Sequence, residues 1–265
     1  MVSIRRTSSA CIFFILLFMV VQKAAGQFTF MDSVCYVNNY YGLVRQALPF
    51  ISNPRNRPAQ NSINAALLNG FYEYFVLPDT TSSNGDTLVH QSGGITIGED
   101  SILLDSKDVL SFSIAYEGCG AYCEYYTLYF NFESKTGQPI LLDSLFTEKG
   151  LQFLNSKINK LRRKEITDFL NGVKDSLTRV QNGSSERDAG YFEEQVALYT
   201  QCLTDTVDLN YEQFSIGKKS LKFYVERCSA HYNRAVDELY EFQFEFPIRD
   251  LEKYLTDYGM RILRN

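Results

Sequence analysis

The sequence predicts an α+β protein with antiparallel sheets and packed amphipathic helices, and three observations support this fold class. Apolar residues alternate with polar ones over 109–116 and 124–133, which is typical of half-buried strands. In other segments apolar residues recur every three or four positions, which is typical of helices that face a core. Strands and helices are interspersed without a regular βαβ period or a repeat of about 20–50 residues, so neither a parallel sheet nor a solenoid is indicated.

The first 26 residues have the pattern of a cleavable secretory signal. Arg5 and Arg6 precede the apolar run CIFFILLFMVV, and Ala24 and Gly26 provide small residues at the −3 and −1 positions. The run is shorter than the ~20 residues that a spanning helix needs, which disfavours the alternative of a retained signal anchor. We expect cleavage near Gly26 and an exported chain, periplasmic or extracellular, without stable membrane insertion.

Charge narrows the classes of partner. Removal of residues 1–26 takes away three basic residues and no acidic one, so 23 Lys+Arg remain against 31 Asp+Glu and the net charge changes from −5 to near −8. This balance disfavours nucleic acid and anionic membranes, and it favours basic partners through long-range electrostatic steering.

In the first half of the mature chain the elements are predicted in this order. A helix begins at Ser62, with Asn61 as its N-cap and an apolar residue at every fourth position (Ile63, Leu67, Phe71 and Phe75). An exposed loop follows over 77–87 because Asp, Ser, Asn and Gly cluster there. Two strands then carry one apolar face each: Leu110, Phe112, Ile114 and Tyr116 on the first, and Tyr126, Leu128, Phe130 and Phe132 on the second.

The second half begins after a turn at 134–139. A long amphipathic helix is predicted from near Thr147, with the apolar stripe Leu151, Leu154, Ile158, Leu161, Phe169 and Val173. A flexible loop is predicted over 181–190. Two strands follow, in which Leu221, Phe223 and Val225, and then Phe242, Phe244 and Phe246, alternate with polar residues. Pro247 is predicted to open a final helix that carries Ile248, Leu251 and Leu255.

These landmarks resemble a known family. The strand VLSFSIAYEGCGAY, the stretch FESKTGQPILLDSLF, an amphipathic helix and HYNRAVDELYEFQFEFPIRDLEKYL occur in the order found in the paired extracellular domains of RsiV-type anti-sigma factors. The same domains occur beside the catalytic domain of PdaC-type peptidoglycan deacetylases. The pattern TG-x-P-I-x-L-x-D-x-L-F, here Thr136 to Phe146, is the most specific part, and the resemblance extends over about residues 36–258.

The resemblance implies two cooperating modules, an N-terminal α+β module over 27–142 and a C-terminal α+β module over 143–265. Neither module is catalytic in that family, and in the RsiV type they form a receptor for lysozyme. About ten residues precede the apolar run, so we expect the binding half alone, without a sigma-binding or deacetylase domain. The expected partner is therefore a basic exported protein such as lysozyme, bound or sequestered at the cell envelope.

Cysteines are expected to form disulfides in an exported chain. Five remain in the mature chain: Cys35, Cys119, Cys123, Cys202 and Cys228. Two bridges with one cysteine left over is the simplest arrangement, although sequence alone does not settle the connectivity. The preferred pairs are Cys119–Cys123, across the strand connection, and Cys202–Cys228, on either side of a predicted hairpin. The second pair closes the longer loop and should stabilise the fold more.

Catalytic and metal chemistry find little support. A zinc site from Cys119, Cys123, Cys228 and His231 would need reduced thiols, which export disfavours. His231 more readily caps or packs at a strand exit, and neither G-x-S-x-G nor H-E-x-x-H occurs. We expect no enzyme, no cofactor and no metal. The alternatives are a peptidoglycan-acting hydrolase or esterase, whose paired carboxylates could come from any part of the chain, and a structural accessory protein of the envelope.

Three further features bear on binding. The basic cluster KLRRKE (160–165) is predicted to be a solvated helix face rather than an anion site. Asn182-Gly-Ser184 is an N-glycosylation sequon whose use depends on the host. In GCGAYCEYY (118–126) we expect a disulfide-pinned turn, and Tyr122, Tyr125 and Tyr126 are candidate residues of a binding surface because tyrosine combines rigid contact area with a hydrogen-bonding hydroxyl.

Overall fold

Ten β-strands and six α-helices make up the part of the chain that the structure, a computed structural model, describes: residues 28–39, 42–71, 77–79, 88–90, 94–119, 123–183, 186–209 and 213–264. The strands are β1 (Thr29–Asn39), β2 (Gly42–Ser52), β3 (Leu77–Asp79), β4 (Leu88–His90), β5 (Gly94–Asp105), β6 (Val109–Cys119), β7 (Cys123–Glu133), β8 (Gln213–Ile216), β9 (Ser220–Val225) and β10 (Phe242–Pro247). The helices are α1 (Arg57–Ala66), α2 (Leu142–Leu145), α3 (Glu148–Gln181), α4 (Glu186–Cys202), α5 (Ile248–Leu251) and α6 (Asp257–Leu263). The predicted α+β class is confirmed.

The strands form three sheets, with the orders β2-β1-β4-β3, β5-β6-β7 and β10-β9-β8. Their pairings are antiparallel except for a short parallel contact between β1 and β4. Within the described ranges no helix combines the length and the apolarity needed to cross a membrane. The predicted signal, residues 1–26, lies outside those ranges.

The first hydrophobic core lies between α1 and one face of the β5-β6-β7 sheet. Leu110, Phe112 and Ile114 of β6 are completely buried, as the alternating pattern predicted. Phe112 stacks on Phe130 of β7 at 5.2 Å between ring centroids, and Ile63 of α1 belongs to the same buried cluster. Aromatic pairs of this kind contribute about 0.5–1.5 kcal/mol beyond their buried area.

The predicted N-cap of α1 is wrong. The helix begins at Arg57, and Asn56 rather than Asn61 is its N-cap, with the Asn56 side chain accepting a hydrogen bond from the Ala59 N–H. Pro58 in the first turn already has the φ that a helix requires. The helix continues as a π-helical turn over Leu67–Phe71, and the predicted continuation to Phe75 lies outside the described residues.

Two predicted loops differ from the structure, and four strands were not predicted. Leu77–Asp79, placed in the loop 77–87, pairs with β4, and residues 80–87 lie outside the described ranges. The loop predicted over 181–190 is shorter because α4 begins at Glu186. The sequence patterns did not reveal β1, β2, β4 or β5. In β5 the register with β6 shifts twice, between Ile97 and Asp100 and between Ile102 and Leu104, and such bulges interrupt the two-residue alternation.

The second hydrophobic core is formed by the helices after residue 141 and the β8-β9-β10 sheet. The helix α3 begins near Thr147, as predicted, and Thr147 is its N-cap, because its hydroxyl accepts a hydrogen bond from the Gly150 N–H. Leu154 and Ile158 are completely buried and, with Val173, confirm the predicted stripe. Val109 and Ile140, which precede the predicted module boundary at 142/143, also belong to this core, and the boundary itself stays a prediction.

The chain ends in two short helices instead of the single helix that was predicted. Pro247 is the N-cap of α5, as its position suggested, but a 3-10 turn over Glu252–Tyr254 separates α5 from α6. Thr256 then caps α6 by accepting a hydrogen bond from the Gly259 N–H. The Thr256 hydroxyl also donates to the Ser144 carbonyl, which ties the chain end to α2.

Gly150 marks a close contact between the start of α3 and the 3-10 turn. A Cβ at this position would lie 2.6 Å from the Tyr254 carbonyl oxygen, so the chain end would have to move. We expect Gly150→Ala to lower the free energy of unfolding by about 1–3 kcal/mol. Gly172, in the same helix, has nothing within 4 Å of its Cβ position. Gly172→Ala is therefore expected to raise the free energy of unfolding by about 0.5–1 kcal/mol. Urea unfolding of both variants checks the contrast, and equal effects would contradict it.

Candidate functional site

The antiparallel neighbours β6 and β7, 11 residues each, extend to a tip at Cys119 and Cys123. These two residues lie directly opposite each other in the strand register, and Cys123 is disulfide-bonded. Residues 120–122, which include the candidate binding residue Tyr122, lie outside the described ranges. The register is the one that a Cys119–Cys123 bridge would need, and that pairing stays a prediction.

Tyr125 is the most exposed large residue near this tip. Its relative exposure is 82%, and Glu117 lies opposite it on β6. A hydrogen bond to the Glu117 carboxylate and the negative charge of that group raise the pKa of Tyr125. The ring therefore projects outward as a neutral phenol, next to a carboxylate.

Tyr126 has a different role, because its ring is packed. It stacks on Tyr116 at 5.2 Å between centroids, and its hydroxyl donates to the Glu124 carboxylate. Arg234 pairs with that carboxylate at 2.5 Å, and its guanidinium carbon lies 5.4 Å from the centre of the Tyr126 ring. The two adjacent tyrosines are thus separated by the strand alternation, with Tyr125 on the surface and Tyr126 in a structural cluster.

Farther along β7, Tyr129 packs against the C-terminal sheet. Its ring is nearly parallel to that of Tyr224 on β9, with 3.5 Å between centroids and 8° between planes. Partial burial raises the pKa of Tyr129, and the neighbouring Tyr224 and Glu241 raise it further. Together with the Arg234–Glu124 pair, this contact places β7 against Tyr224 and Arg234 of the C-terminal core. We call this contact line, β7 residues 124–129 with residues 224–241, the seam.

A second outward tyrosine lies at the seam, and sequence analysis missed it. Tyr240 is 68% exposed, and its backbone has φ 50°, in the left-handed region. The guanidinium carbon of Arg227 lies 5.3 Å from the centre of its ring. A non-glycine residue in this conformation costs of order 1–3 kcal/mol, and such strain is concentrated at functional sites. The sequence offers no sign of it, because backbone strain has no pattern in the residue types.

The seam is rich in carboxylates. The carboxylates on or beside it are Glu117, Glu124, Glu226, Asp237, Glu238 and Glu241. Of these, Glu124 and Asp237 are buried and paired with Arg234 and Arg227, so among the described residues of the seam Lys222 is the remaining basic side chain near the exposed ones. Partial desolvation and the negative charge of Glu226 raise the pKa of Glu241. A hydrogen bond from Gln243 and the positive charge of Lys222 lower it, but the desolvation is the larger effect. The Tyr191 hydroxyl donates to Glu238 at 2.7 Å. The electrostatic potential at the seam is therefore negative, and it would favour the binding of a cation.

Asp237 organises the backbone that carries Tyr240. Its carboxylate is completely buried and accepts hydrogen bonds from Arg227 Nε at 3.0 Å, the Ser229 N–H at 2.9 Å and the Tyr199 hydroxyl at 2.8 Å. The Leu239 N–H donates to Oδ1 at 3.2 Å, the same oxygen that accepts from Tyr199. Burial alone would raise the pKa of Asp237, but the hydrogen bonds from Ser229, Tyr199 and Arg227 outweigh it and hold the pKa below its usual range.

The predicted disulfide Cys202–Cys228 is confirmed. It joins the end of α4 to the segment after β9, with a Cα–Cα distance of 5.4 Å. Arg162 of α3 lies against it, with Nη2 2.8 Å from Cys202 Sγ. The interpretation of the cluster 160–165 as a solvated face is therefore wrong for Arg162, which is 5% exposed. Its guanidinium carbon also lies 5.4 Å from the centre of the Phe242 ring.

Metal-binding and nucleophilic arrangements are not found in the described part of the chain. No group of three or more His, Cys, Asp or Glu side chains there could hold a metal ion. His231 begins a 3-10 turn, and Cys228 of the rejected zinc set is disulfide-bonded. Ser215 and Lys218 have the S-x-x-K spacing, but the Ser215 hydroxyl is buried at 3.0 Å from the Tyr224 hydroxyl.

The fold and the seam define an α+β protein with an acidic, tyrosine-bearing surface, and comparisons with known proteins add the following. No family model matches the chain, and no curated protein matches it. Among solved structures, a member of the DUF3298 family from Bacteroides fragilis is 14% identical, with a TM-score of 0.48, over 89% of this chain and 96% of that one. A DUF3298 family protein from Pseudomonas aeruginosa is 8% identical, with a TM-score of 0.47, over 89% and 97%.

Proposed function

We propose that the chain is an exported, non-catalytic binding protein whose partner is a cationic exported protein, with lysozyme-like muramidases as the first candidates. The observation that carries the proposal is the seam, where Tyr125 and Tyr240 project outward on a carboxylate-rich surface. The Cys202–Cys228 disulfide supports an oxidising compartment. The resemblance of the sequence to RsiV-type extracellular domains provides the particular candidate.

The chemistry of the seam suits a protein partner. Tyrosine rings bury much area with little loss of conformational entropy and are enriched among residues that dominate binding energy. Asp237, fixed by four hydrogen bonds, positions the backbone on which Tyr240 lies. The strained φ of 50° at Tyr240 is therefore already present before a partner arrives. A pre-ordered contact residue avoids part of the ordering cost of association.

Charge determines the type of partner. A negative seam on a chain of net charge near −8 would accelerate encounter with a cationic surface and repel an acidic one. Because the field is screened by salt, association should slow markedly near 0.5 M salt, where the Debye length is about 4 Å. The same charge would oppose binding to nucleic acid.

The test is titration calorimetry of residues 27–265 with a panel of lysozymes, together with lytic activity at fixed ratios. We expect a one-to-one complex with Kd of about 1 μM or tighter. Tyr125→Ala and Tyr240→Asn should each weaken it by at least about tenfold. Asparagine is chosen at position 240 because it tolerates a positive φ. Leu141→Ala, at a residue 58% exposed and outside the seam, is the matched control and should bind like the wild type.

Two other outcomes would replace the proposal. Turnover of muropeptides by the purified protein, abolished by changing one acidic residue, would identify a peptidoglycan-acting hydrolase or esterase. Sedimentation with envelope material, with neither heat nor inhibition across the lysozyme panel, would support a structural accessory protein.

A further inference from the structure

A polar groove lies on the C-terminal core, between α3 and the segment that follows α4. Its volume is about 690 Å³, within the range of about 300–1,000 Å³ typical of small-molecule sites. The lining residues are Asn155, Ser156, Asn159, Lys160, Arg163, Thr206, Val207 and Asp208. None of these side chains is aromatic, and only Val207 is apolar. We call this feature the α3 groove.

Hydrogen bonds hold the two walls of the α3 groove at a fixed separation. The Asn159 amide donates to the Val207 carbonyl at 3.0 Å, and its oxygen accepts from the Val207 N–H at 2.9 Å. Below the groove, Arg162 Nη1 lies 3.4 Å from the carbonyl oxygens of Cys202 and Asp205. Because Cys202 is also disulfide-bonded, the segment that forms the second wall is tied to both α3 and the segment after β9.

The rim of the groove on α3 is positively charged. Lys157, Lys160 and Arg163 are exposed and, at three-residue spacing, lie on the same side of the helix. A second, smaller groove of about 350 Å³ continues along this side and is also lined by Lys157, Lys160 and Arg163. Among the ion pairs of the described residues, Lys164 is paired with Asp168, whereas none involves these three.

The positive rim is opposite in sign to the net charge of the molecule. A chain with net charge near −8 repels anions at long range. At physiological salt that repulsion is screened beyond about 8 Å, whereas contacts inside a groove are not. An anionic ligand would therefore be held by direct contact with the rim, with little electrostatic steering.

We propose that the α3 groove binds an acidic oligosaccharide. Lys160 and Arg163 would pair with carboxylate or phosphate groups on the sugar, with the guanidinium able to bind both oxygens of one group. Asn155, Ser156 and Thr206 offer amide and hydroxyl partners for sugar hydroxyls. The groove does not suit single-stranded nucleic acid, since it has no aromatic ring for base stacking. It does not suit a membrane surface either, because it lacks an apolar face.

The probe is a hexasaccharide of alternating uronic acid and amino sugar, measured by calorimetry on residues 27–265. We expect a sub-millimolar Kd, weakened at least tenfold by the double variant Lys160→Glu/Arg163→Glu. Lys174→Glu, an exposed charge reversal on the same helix outside the groove, should change the Kd less than twofold. The double variant should keep the wild-type melting temperature, since surface substitutions away from packed contacts have little effect on stability.

Three comparison probes decide the ligand class. The carboxyl-reduced hexasaccharide should bind at least tenfold more weakly, and equal binding would overturn the charge argument. Inorganic phosphate that binds as tightly as the hexasaccharide would reduce the groove to a general anion site and overturn the sugar assignment. Binding to phosphatidylglycerol vesicles without binding to the hexasaccharide would also overturn it. Because Tyr125 and Tyr240 are not part of the groove, Tyr240→Asn should leave hexasaccharide binding unchanged, so this test is independent of the proposed protein partner.

Discussion

Replacing Asp237 by alanine is expected to lower the free energy of unfolding by about 3–5 kcal/mol. The change would leave the Arg227 guanidinium, 19% exposed at its side chain, without its ion-pair partner. It would also remove the acceptor of the buried Tyr199 hydroxyl and of the Ser229 N–H. A buried donor that loses its partner costs its full desolvation penalty, which is larger than the net gain from the bond. Urea unfolding at pH 7 measures the effect.

The matched control is Asp250→Ala. Asp250 also pairs with an arginine, Arg249, but both side chains are mostly exposed, at 59% and 83%. Solvent-exposed pairs of this kind contribute about 0–1 kcal/mol, so the free energy of unfolding of this variant should lie within that margin of the wild-type value. If the two variants had the same stability, Asp237 would not organise the segment that carries Tyr240.

The same residue predicts a pH dependence. Its pKa is lowered in the folded protein, so the folded state binds a proton less readily than the unfolded state, whose pKa is about 3.9. The stability from Asp237 is therefore fully present above about pH 4–5 and is lost as pH falls through the folded-state pKa. The difference between the wild type and Asp237→Asn should be constant from pH 6 to 8 and shrink below about pH 4. A difference that instead grew with acid would contradict the lowered pKa.

The elements that sequence analysis predicted best are those whose pattern reflects burial on a single face. The β6 residues Leu110, Phe112 and Ile114 alternate because one side of the strand faces the core, and Thr147 precedes a long helical stripe. The strand β5 was missed because its bulges break the alternation. The cap of α1 was misplaced because the apolar pattern was counted from Ile63. The first buried residue of the helix is Ala59, three residues after the actual cap, Asn56.

The candidate site could be predicted only in part, for physical reasons. Tyr125 was recognised because it is a tyrosine on a strand edge, and alternation then explains why Tyr126 next to it is packed. Tyr240 was missed because its exposure and positive φ depend on the Asp237 network, which joins residues far apart in sequence. Arg162 was misread because a charged residue in a basic run is usually solvated, whereas here its guanidinium contacts Cys202 and Phe242.

Removing the Cys202–Cys228 disulfide is expected to lower the free energy of unfolding by about 3.5 kcal/mol. The bond closes a loop with a sequence separation of 26 residues, and the chain-entropy model gives a stabilisation of about 3–4 kcal/mol for a loop of this length. Cys202→Ala/Cys228→Ala is preferred to serine because Cys202 is 1% exposed, and a buried hydroxyl would add a cost of its own. The melting temperature should fall by roughly 7–14 °C.

Reduction of the wild type provides the control for this variant. Cys123 is also disulfide-bonded, so a reductant destabilises the wild type through both bonds and the double variant through the Cys123 bond alone. The difference between the two responses is therefore the contribution of Cys202–Cys228. That difference should match the loss measured without reductant, because both treatments release the same loop in the unfolded chain. If the free energy of unfolding of the double variant lay within about 0.5 kcal/mol of that of the oxidised wild type, the hydrogen bonds of Asn159 and Asp237 would be sufficient to hold the segment without the bridge.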